Sequence, residues 1–384
     1  MQRLLVIHGG GPTAVLNSSL YGVITAGQEQ QLQVLGARNG IAGLLKNDFI
    51  ELSDRSIKEI TALLQSPGTA IGSSRTPLEQ EDYFHLVEQL QRNHFDYVVL
   101  SGGNGTMTTS HHLAVACKTA GTEIKVLGIP KTIDNDLTGI DHAPGFLSAA
   151  NYIRQTVREI AADVISLPIH VCIIELMGRD AGWLTAAAAL ADQVGGRLAP
   201  DLIYVPERPF SMTQFLNDVQ AIYTQKHEVV VVVAEGLKQA TGQPIVPASF
   251  QVGRAVYFGE VGHYLAEQVV KQLGIKARSE KPGLAGRASI ATQTARDRHE
   301  AVMAGQLAVT AVLAGQTDQM VGLLSDNSAE TQYQLIPLAN IAQQTRQLPE
   351  HFINSAGNGI TPAYAQWLGA RLTDTPLSTI VNFN

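Results

Sequence analysis

The chain has 384 residues, 45% of them hydrophobic and 16% charged, with a formal net charge of −7. A length of this order predicts two α/β domains rather than one small core. The acidic balance provides no global positive field, which argues against nucleic acid as a partner.

The first residues, Met1–Ile7, read as a strand and are too short for the apolar core of a signal peptide. No apolar run approaches the roughly 18 residues that a membrane helix needs, so no membrane association is expected. Cys117 and Cys172 are the only cysteines. Both lie in apolar contexts and read as reduced core thiols of a cytoplasmic protein, not as a disulfide or a metal site. Strand-like runs recur at Leu4–Ile7, Tyr97–Leu100, Ile124–Ile129, Ile169–Leu176, Leu202–Val205 and Val229–Ala234, with helix-like segments between them. This alternation predicts βαβ units: an α/β fold of two Rossmann-like, three-layer αβα domains with largely parallel sheets. Domain changes are expected near His142–Gly145 and Glu280–Gly283, and the last 50 residues read as helix and irregular chain.

Ligands of such sheets sit beyond the carboxyl ends of the strands, where the sequence concentrates its chemistry. After the first strand comes His8-Gly-Gly-Gly-Pro12, and after the second Ser101-Gly-Gly-Asn-Gly-Thr-Met107. Clustered glycines let backbone N–H groups approach phosphate, and a following helix adds its dipole. Asn104 brings an amide oxygen to the tip of the second loop, a poorer Mg²⁺ ligand than a carboxylate. The third strand delivers Lys131, Thr132, Asp134 and Asp136 within six residues. One carboxylate there can take a proton from a hydroxyl while the other holds metal. Thr132 can donate to a phosphoryl oxygen, and Lys131 supplies a point charge. Glu175–Gly182 places Arg179 at another strand end, Glu235 closes the apolar strand Val229–Ala234, and the basic set Lys276, Arg278, Lys281, Arg287, Arg296 and Arg298 suggests an anionic ligand.

In order and spacing, these motifs resemble the phosphofructokinase family over roughly residues 3 to 325. The specific elements are Gly-Gly-Asn-Gly-Thr (102–106), Pro-Lys-Thr-Ile-Asp-Asn-Asp (130–136), Met-Gly-Arg (177–179), Pro206-Glu207, Glu235-Gly236, and Arg278 with Arg287 nine residues later. The resemblance implies a phosphofructokinase-like fold and Mg²⁺-assisted phosphoryl transfer to the 1-hydroxyl of fructose 6-phosphate, as in glycolysis. It implies a donor domain of residues 1–145 plus about 286–335, and a sugar-phosphate domain of 146–285 plus about 336–384. Carried over residue by residue, Asp134 looks like the general base, with Thr132, Arg179 and Lys131 completing the catalytic set. Met177, Gly178, Arg179 and Glu235 would hold the sugar together with Thr132 and Asp134. Arg287 would bind the 6-phosphate, and Arg278 matches an arginine that reaches in from a neighbouring subunit of a homodimer or homotetramer. The donor would lie on Gly10, Gly11, Arg75, Gly102, Gly103, Asn104, Gly105 and Thr106, with metal at Asn104 and Asp136.

The chain departs from the family at three places. Asn104 stands for the usual Asp, His170 for a second intersubunit Arg, and Leu284 for a His or Tyr near the 6-phosphate. Gly105 resembles ATP users, since pyrophosphate users generally carry Asp there, whereas Lys131 resembles pyrophosphate users. Exclusion by bulk and charge favours ATP as the expected donor, with pyrophosphate the alternative. Further alternatives are a catalytically weakened phosphosugar-binding protein and a kinase of another small alcohol.

Overall fold

The computed structural model describes residues 1–191, 199–252, 255–325 and 330–378. Among these the strands run in chain order as β1 Arg3–His8, β2 Gln33–Ala37, β3 Phe49–Glu51, β4 Tyr97–Gly102, β5 Lys125–Pro130, β6 Val171–Leu176, β7 Leu202–Tyr204, β8 Val229–Ala234, β9 Ala248–Val252, β10 Ala255–Phe258, β11 Ala277–Glu280, β12 Gln319–Leu324 and β13 Gln332–Pro337. They belong to two compact units: Met1–Ala149 with Arg287–Arg346, and Ala150–Gly286 with Gln347–Asn384.

The first unit holds one sheet of order β13-β12-β5-β4-β1-β2-β3. Its inner pairs are parallel, while β3 and β13 are antiparallel edges. Because successive side chains alternate across a strand, each central strand feeds two cores. Leu4, Val6, Val99 and Leu127 join Leu20 and Val23 of the Leu16–Glu29 helix and Ala304 and Ala308 of the Ala295–Leu313 helix. Leu5, Ile7, Val98, Leu100 and Val126 join Leu86 and Leu90 of the Gln80–Arg92 helix and Leu113 and Cys117 of the Asn104–Thr119 helix. Burial on both faces explains why these strands read as unbroken apolar runs. The Leu16–Glu29 and Ala295–Leu313 helices pack backbone to backbone. A Cβ on Gly22 would lie 2.1 Å from the Val302 carbonyl oxygen, and one on Gly305 would lie 2.2 Å from that of Ser19.

The second unit holds a parallel sheet of order β11-β6-β8-β7 and the antiparallel pair β9–β10. Val171, Ile173, Val229, Val231 and Val233 pack with Phe215 and Leu265 of the Met212–Lys226 and Val261–Leu273 helices. The late helix Pro362–Gly369 joins this unit through aromatic packing: the Trp183 and Trp367 ring centroids lie 5.1 Å apart, and the Tyr364 hydroxyl donates to the Trp183 carbonyl.

Both cysteines are buried and unpaired, and burial pushes their thiols up to about 11 for Cys117 and about 12 for Cys172. Among the described residues no helix is long and apolar enough to cross a membrane. Strands that the apolar pattern does not announce are β2, β3 and β9 to β13. The edge strands β11 and β13 carry alternating half-buried and exposed residues instead of an apolar run. The helix expected over Thr108–Thr119 begins four residues earlier at Asn104, with Gly103 as its N-cap.

Candidate active site

β1, β4 and β5 are neighbours in register, with His8 opposite Ser101 and Gly102 opposite Pro130. Their three following loops therefore emerge side by side at the carboxyl edge of the first sheet. Backbone bonds join them: Gly9 N–H donates to Ser101 O at 2.9 Å and Lys131 N–H to Gly102 O at 2.9 Å, while Gly10 N–H ties the first loop to Ser74 O, beside Arg75, at 3.1 Å. Thr106 wedges between the two glycine loops. Its Oγ1 lies 2.2 Å from where a Cβ on Gly9 would sit and 2.1 Å from one on Gly102.

Positive charge gathers at this edge. The Lys131 side chain is buried, and its Nζ donates to Gly11 O at 2.5 Å. A Cβ on Gly11 would lie 3.0 Å from Arg287 Nη1 and 3.8 Å from Arg75 Nη2. Burial and the neighbouring Arg75 and Arg287 charges draw the Lys131 ammonium down to about 8, with Asp134 and Asp136 opposing that fall. His8 lies beneath, wholly buried, with Nδ1 2.7 Å from Thr69 Oγ1 and no protein partner for Nε2. Burial first, then Lys131, lowers its pKa to about 3, so this histidine is neutral. Sequence reading passed over His8, since its glycine neighbours carried the only visible signal.

The turn after Lys131 is wired internally. Thr132 Oγ1 donates to Asp136 Oδ1 at 3.0 Å and accepts from the Asp134 N–H at 3.1 Å. Asn135, buried with φ of 53°, lets the chain reverse so that half-buried Asp134 and Asp136 lie on either side of it. The Thr132 hydroxyl, expected to donate to a phosphoryl group, is thus engaged in the turn itself. Asn104 Nδ2 donates to Asp136 Oδ2 at 2.8 Å and to Asp136 O at 3.1 Å. Both partners are acceptors, so the amide must present its NH₂ to them. Its Oδ1 is then left buried without a protein partner. Among the described residues no group of three or more His, Cys, Asp or Glu is placed to hold a metal ion.

In the second unit, β6 and β8 are adjacent, so Met177, Gly178 and Arg179 emerge beside Glu235. Glu235 N–H donates to Leu176 O at 2.9 Å. Gly236 is required by contact, because a Cβ there would lie 1.8 Å from the Arg179 carbonyl oxygen. Arg179 itself is exposed. Glu207, from the Pro206-Glu207 motif, is a structural carboxylate that accepts from Gly182 and Leu348 N–H, each at 2.8 Å. Arg278 is not brought to this group. It pairs with Cys172 near the start of β6, and the five residues from there to Met177 span about 17 Å of strand. Buried His170 lies at the same amino-terminal edge, its pKa lowered by burial and by Arg278. Arg287, assigned by resemblance to the 6-phosphate, sits in the first unit against Gly11 and Arg75.

Comparison with known proteins supplies the last observation. The family model described as Phosphofructokinase matches residues 3–312. A pyrophosphate–fructose 6-phosphate 1-phosphotransferase of Xanthomonas campestris is 36% identical over 94% of this chain and 88% of its own. A sulfofructose kinase of Alkalicoccus urumqiensis is 31% identical over 98% and 97%. The solved structure of a pyrophosphate-dependent phosphofructokinase from Nitrosospira multiformis superposes with a TM-score of 0.87 at 31% identity, covering 96% of this chain and 91% of that one. With glycine loops, an Asp134–Asp136 turn and a family match that runs across most of its length, this chain belongs to the phosphofructokinase family.

Proposed function

We propose that the protein is a cytoplasmic enzyme that transfers a phosphoryl group from inorganic pyrophosphate to the 1-hydroxyl of fructose 6-phosphate. The observation that carries the choice of donor is the buried Lys131 between Arg75 and Arg287. Three cations around one glycine loop suit a small, densely charged anion, and desolvated Lys131 gains most by neutralisation when that anion arrives. Gly105 is exposed, and a Cβ there would meet nothing within 4 Å. Position 105 therefore does not itself shut out a longer donor, and the choice of pyrophosphate over the expected ATP rests on the three cations. The names borne by the Xanthomonas and Nitrosospira relatives support the same donor.

Asp134 takes the proton of the acceptor hydroxyl as general base. Lys131, Arg75 and Arg287 stabilise the anionic charge of the donor and of the transferring group. Thr132 holds the geometry of the turn through its bonds to Asp134 and Asp136. Met177, Gly178, Arg179 and Glu235 bind the sugar, and Arg278 acts from a second copy of the chain in a homodimer or homotetramer. Mg²⁺ fits the remaining residues: Asp136 offers a carboxylate and Asn104 its orphaned Oδ1, hard oxygen ligands of the kind this ion takes alongside phosphate and water. When bound, the ion would neutralise phosphate charge.

A second acceptor reading follows from the sulfofructose kinase, which matches the chain over nearly its full length. His170 and exposed Leu284 offer few donors to a doubly charged terminal phosphate. The test is ³¹P NMR of the purified protein with pyrophosphate, Mg²⁺ and either fructose 6-phosphate or sulfofructose. Conversion of fructose 6-phosphate to the 1,6-bisphosphate is expected. Turnover of sulfofructose alone would replace the acceptor, and calorimetric binding of sugar phosphate with no turnover of either, from pyrophosphate or from ATP, would leave a binding protein.

A further inference from the structure

The Ala295–Leu313 helix carries two buried acids three residues apart, Asp297 and Glu300, which therefore share a face. Both are aimed at the segment that follows the Asp134–Asp136 turn. Asp297 accepts from Gly145 N–H at 2.8 Å, Ser148 N–H at 3.0 Å and Ser148 Oγ at 2.5 Å. Glu300 Oε2 lies 2.7 Å from His142 Nε2, while its Oε1 accepts from Arg296 Nε at 2.8 Å and Thr331 Oγ1 at 2.5 Å. His142 is wholly buried, and its Nδ1 lies 2.7 Å from Asp141 Oδ2. A carboxylate on each ring nitrogen calls for an imidazolium, the only form with two N–H donors.

Segment 141–145 is tied in turn to the catalytic turn. Ala143 N–H donates to Asn135 Oδ1 at 3.0 Å, and Thr132 N–H donates to Pro144 O at 3.2 Å. Asn135 is the residue between Asp134 and Asp136, so a displacement at 141–145 moves both carboxylates.

We propose that Asp297, Glu300 and His142 form a buried clamp that positions the Asp134–Asp136 turn, His142 and the two acids acting as positioning residues without touching substrate. The catalytic consequence rests on the phosphotransferase reading above; the clamp itself does not. Its test uses the full chain in three variants, His142→Gln, Glu300→Gln and the two substitutions together, the last removing both charges of the His142–Glu300 pair at once while Asp141 and Arg296 keep theirs. Amide hydrogen exchange over residues 131–145 should accelerate by about tenfold or more in each variant, with the other segments of the sheet unchanged. Turnover per folded molecule should fall by about 10- to 10²-fold, with both KM values within about threefold of the parent. The double variant should be no worse than either single one. Unchanged exchange over 131–145, or turnover within about twofold of the parent in variants that fold, would overturn the proposal. If the parent itself turns over neither acceptor, the substrate reading fails and the exchange measurement alone decides the clamp.

Discussion

Asp134 and Asp136 share a turn, and the proposed function gives them different roles. Both oxygens of Asp136 accept bonds, from Thr132 and from Asn104. In the proposed reading Asp134 is the general base, and Asp134→Asn should lower kcat by about 10²–10⁴ in a steady-state assay, with the fold intact by circular dichroism. Lys131→Gly should weaken kcat/KM for pyrophosphate by about 10- to 10²-fold, the usual worth of a charge-assisted contact. At residue 104 the consequence is electrostatic. Asn104→Asp would set two carboxylates within 2.8 Å where a donor now bonds an acceptor. Only a cation or a shared proton relieves such a pair, so Mg²⁺ should raise the Tm of Asn104→Asp by clearly more than that of the parent. Equal shifts in thermal scans would place the metal elsewhere.

At the scale of elements, stability depends on how two helices and one ion network close over the sheet. Gly305→Ala would push a methyl group to 2.2 Å from the Ser19 carbonyl oxygen. Backbone cannot give way there as a flexible side chain does, so a loss of about 1–3 kcal/mol is expected in denaturant unfolding. The His142–Glu300 pair predicts a pH dependence. Burial opposes charge on His142, yet Glu300 and Asp141 prevail and lift it from 6.5 to about 9. Its stabilisation is therefore full below 6.5 and is lost as pH rises through 9. Burial likewise opposes charge on Glu300, but His142 holds it well below its ordinary 4.5. That stabilisation is full above 4.5 and is lost only in strong acid. Asp297, buried and raised from 3.8 to about 6, favours the fold when protonated; that contribution is full below 3.8 and is lost as pH rises through 6. Arg296, on Glu300, and Arg346, which donates to the Asp141 carbonyl, are the cations that face this network. The Tm difference between the parent and His142→Gln should thus be largest between pH 4.5 and 6.5 and shrink towards pH 9, as thermal scans across that range would show.

At the scale of the whole molecule, the parallel α/β architecture and the turn at residues 131–136 were legible because apolar runs buried on both faces stop abruptly at dense polar groups. The edge strands were not, since β11 and β13 keep one side towards solvent and lack an apolar run. Nor could the sequence show partners far apart in the chain: His142 and Glu300 are 158 positions apart, and only the fold joins them. The same holds for Arg287, whose family motif suggests a sugar phosphate while its fold position is beside Gly11. That placement puts a third cation, beside Lys131 and Arg75, at the glycine loop that the proposed function gives to the donor. The most direct measurement is kcat/KM for pyrophosphate and for ATP, side by side, with fructose 6-phosphate and Mg²⁺ held saturating. The account predicts saturable turnover with pyrophosphate, exceeding that with ATP by about 10²-fold or more and collapsing in Lys131→Gly. Saturation by ATP with none by pyrophosphate would contradict it.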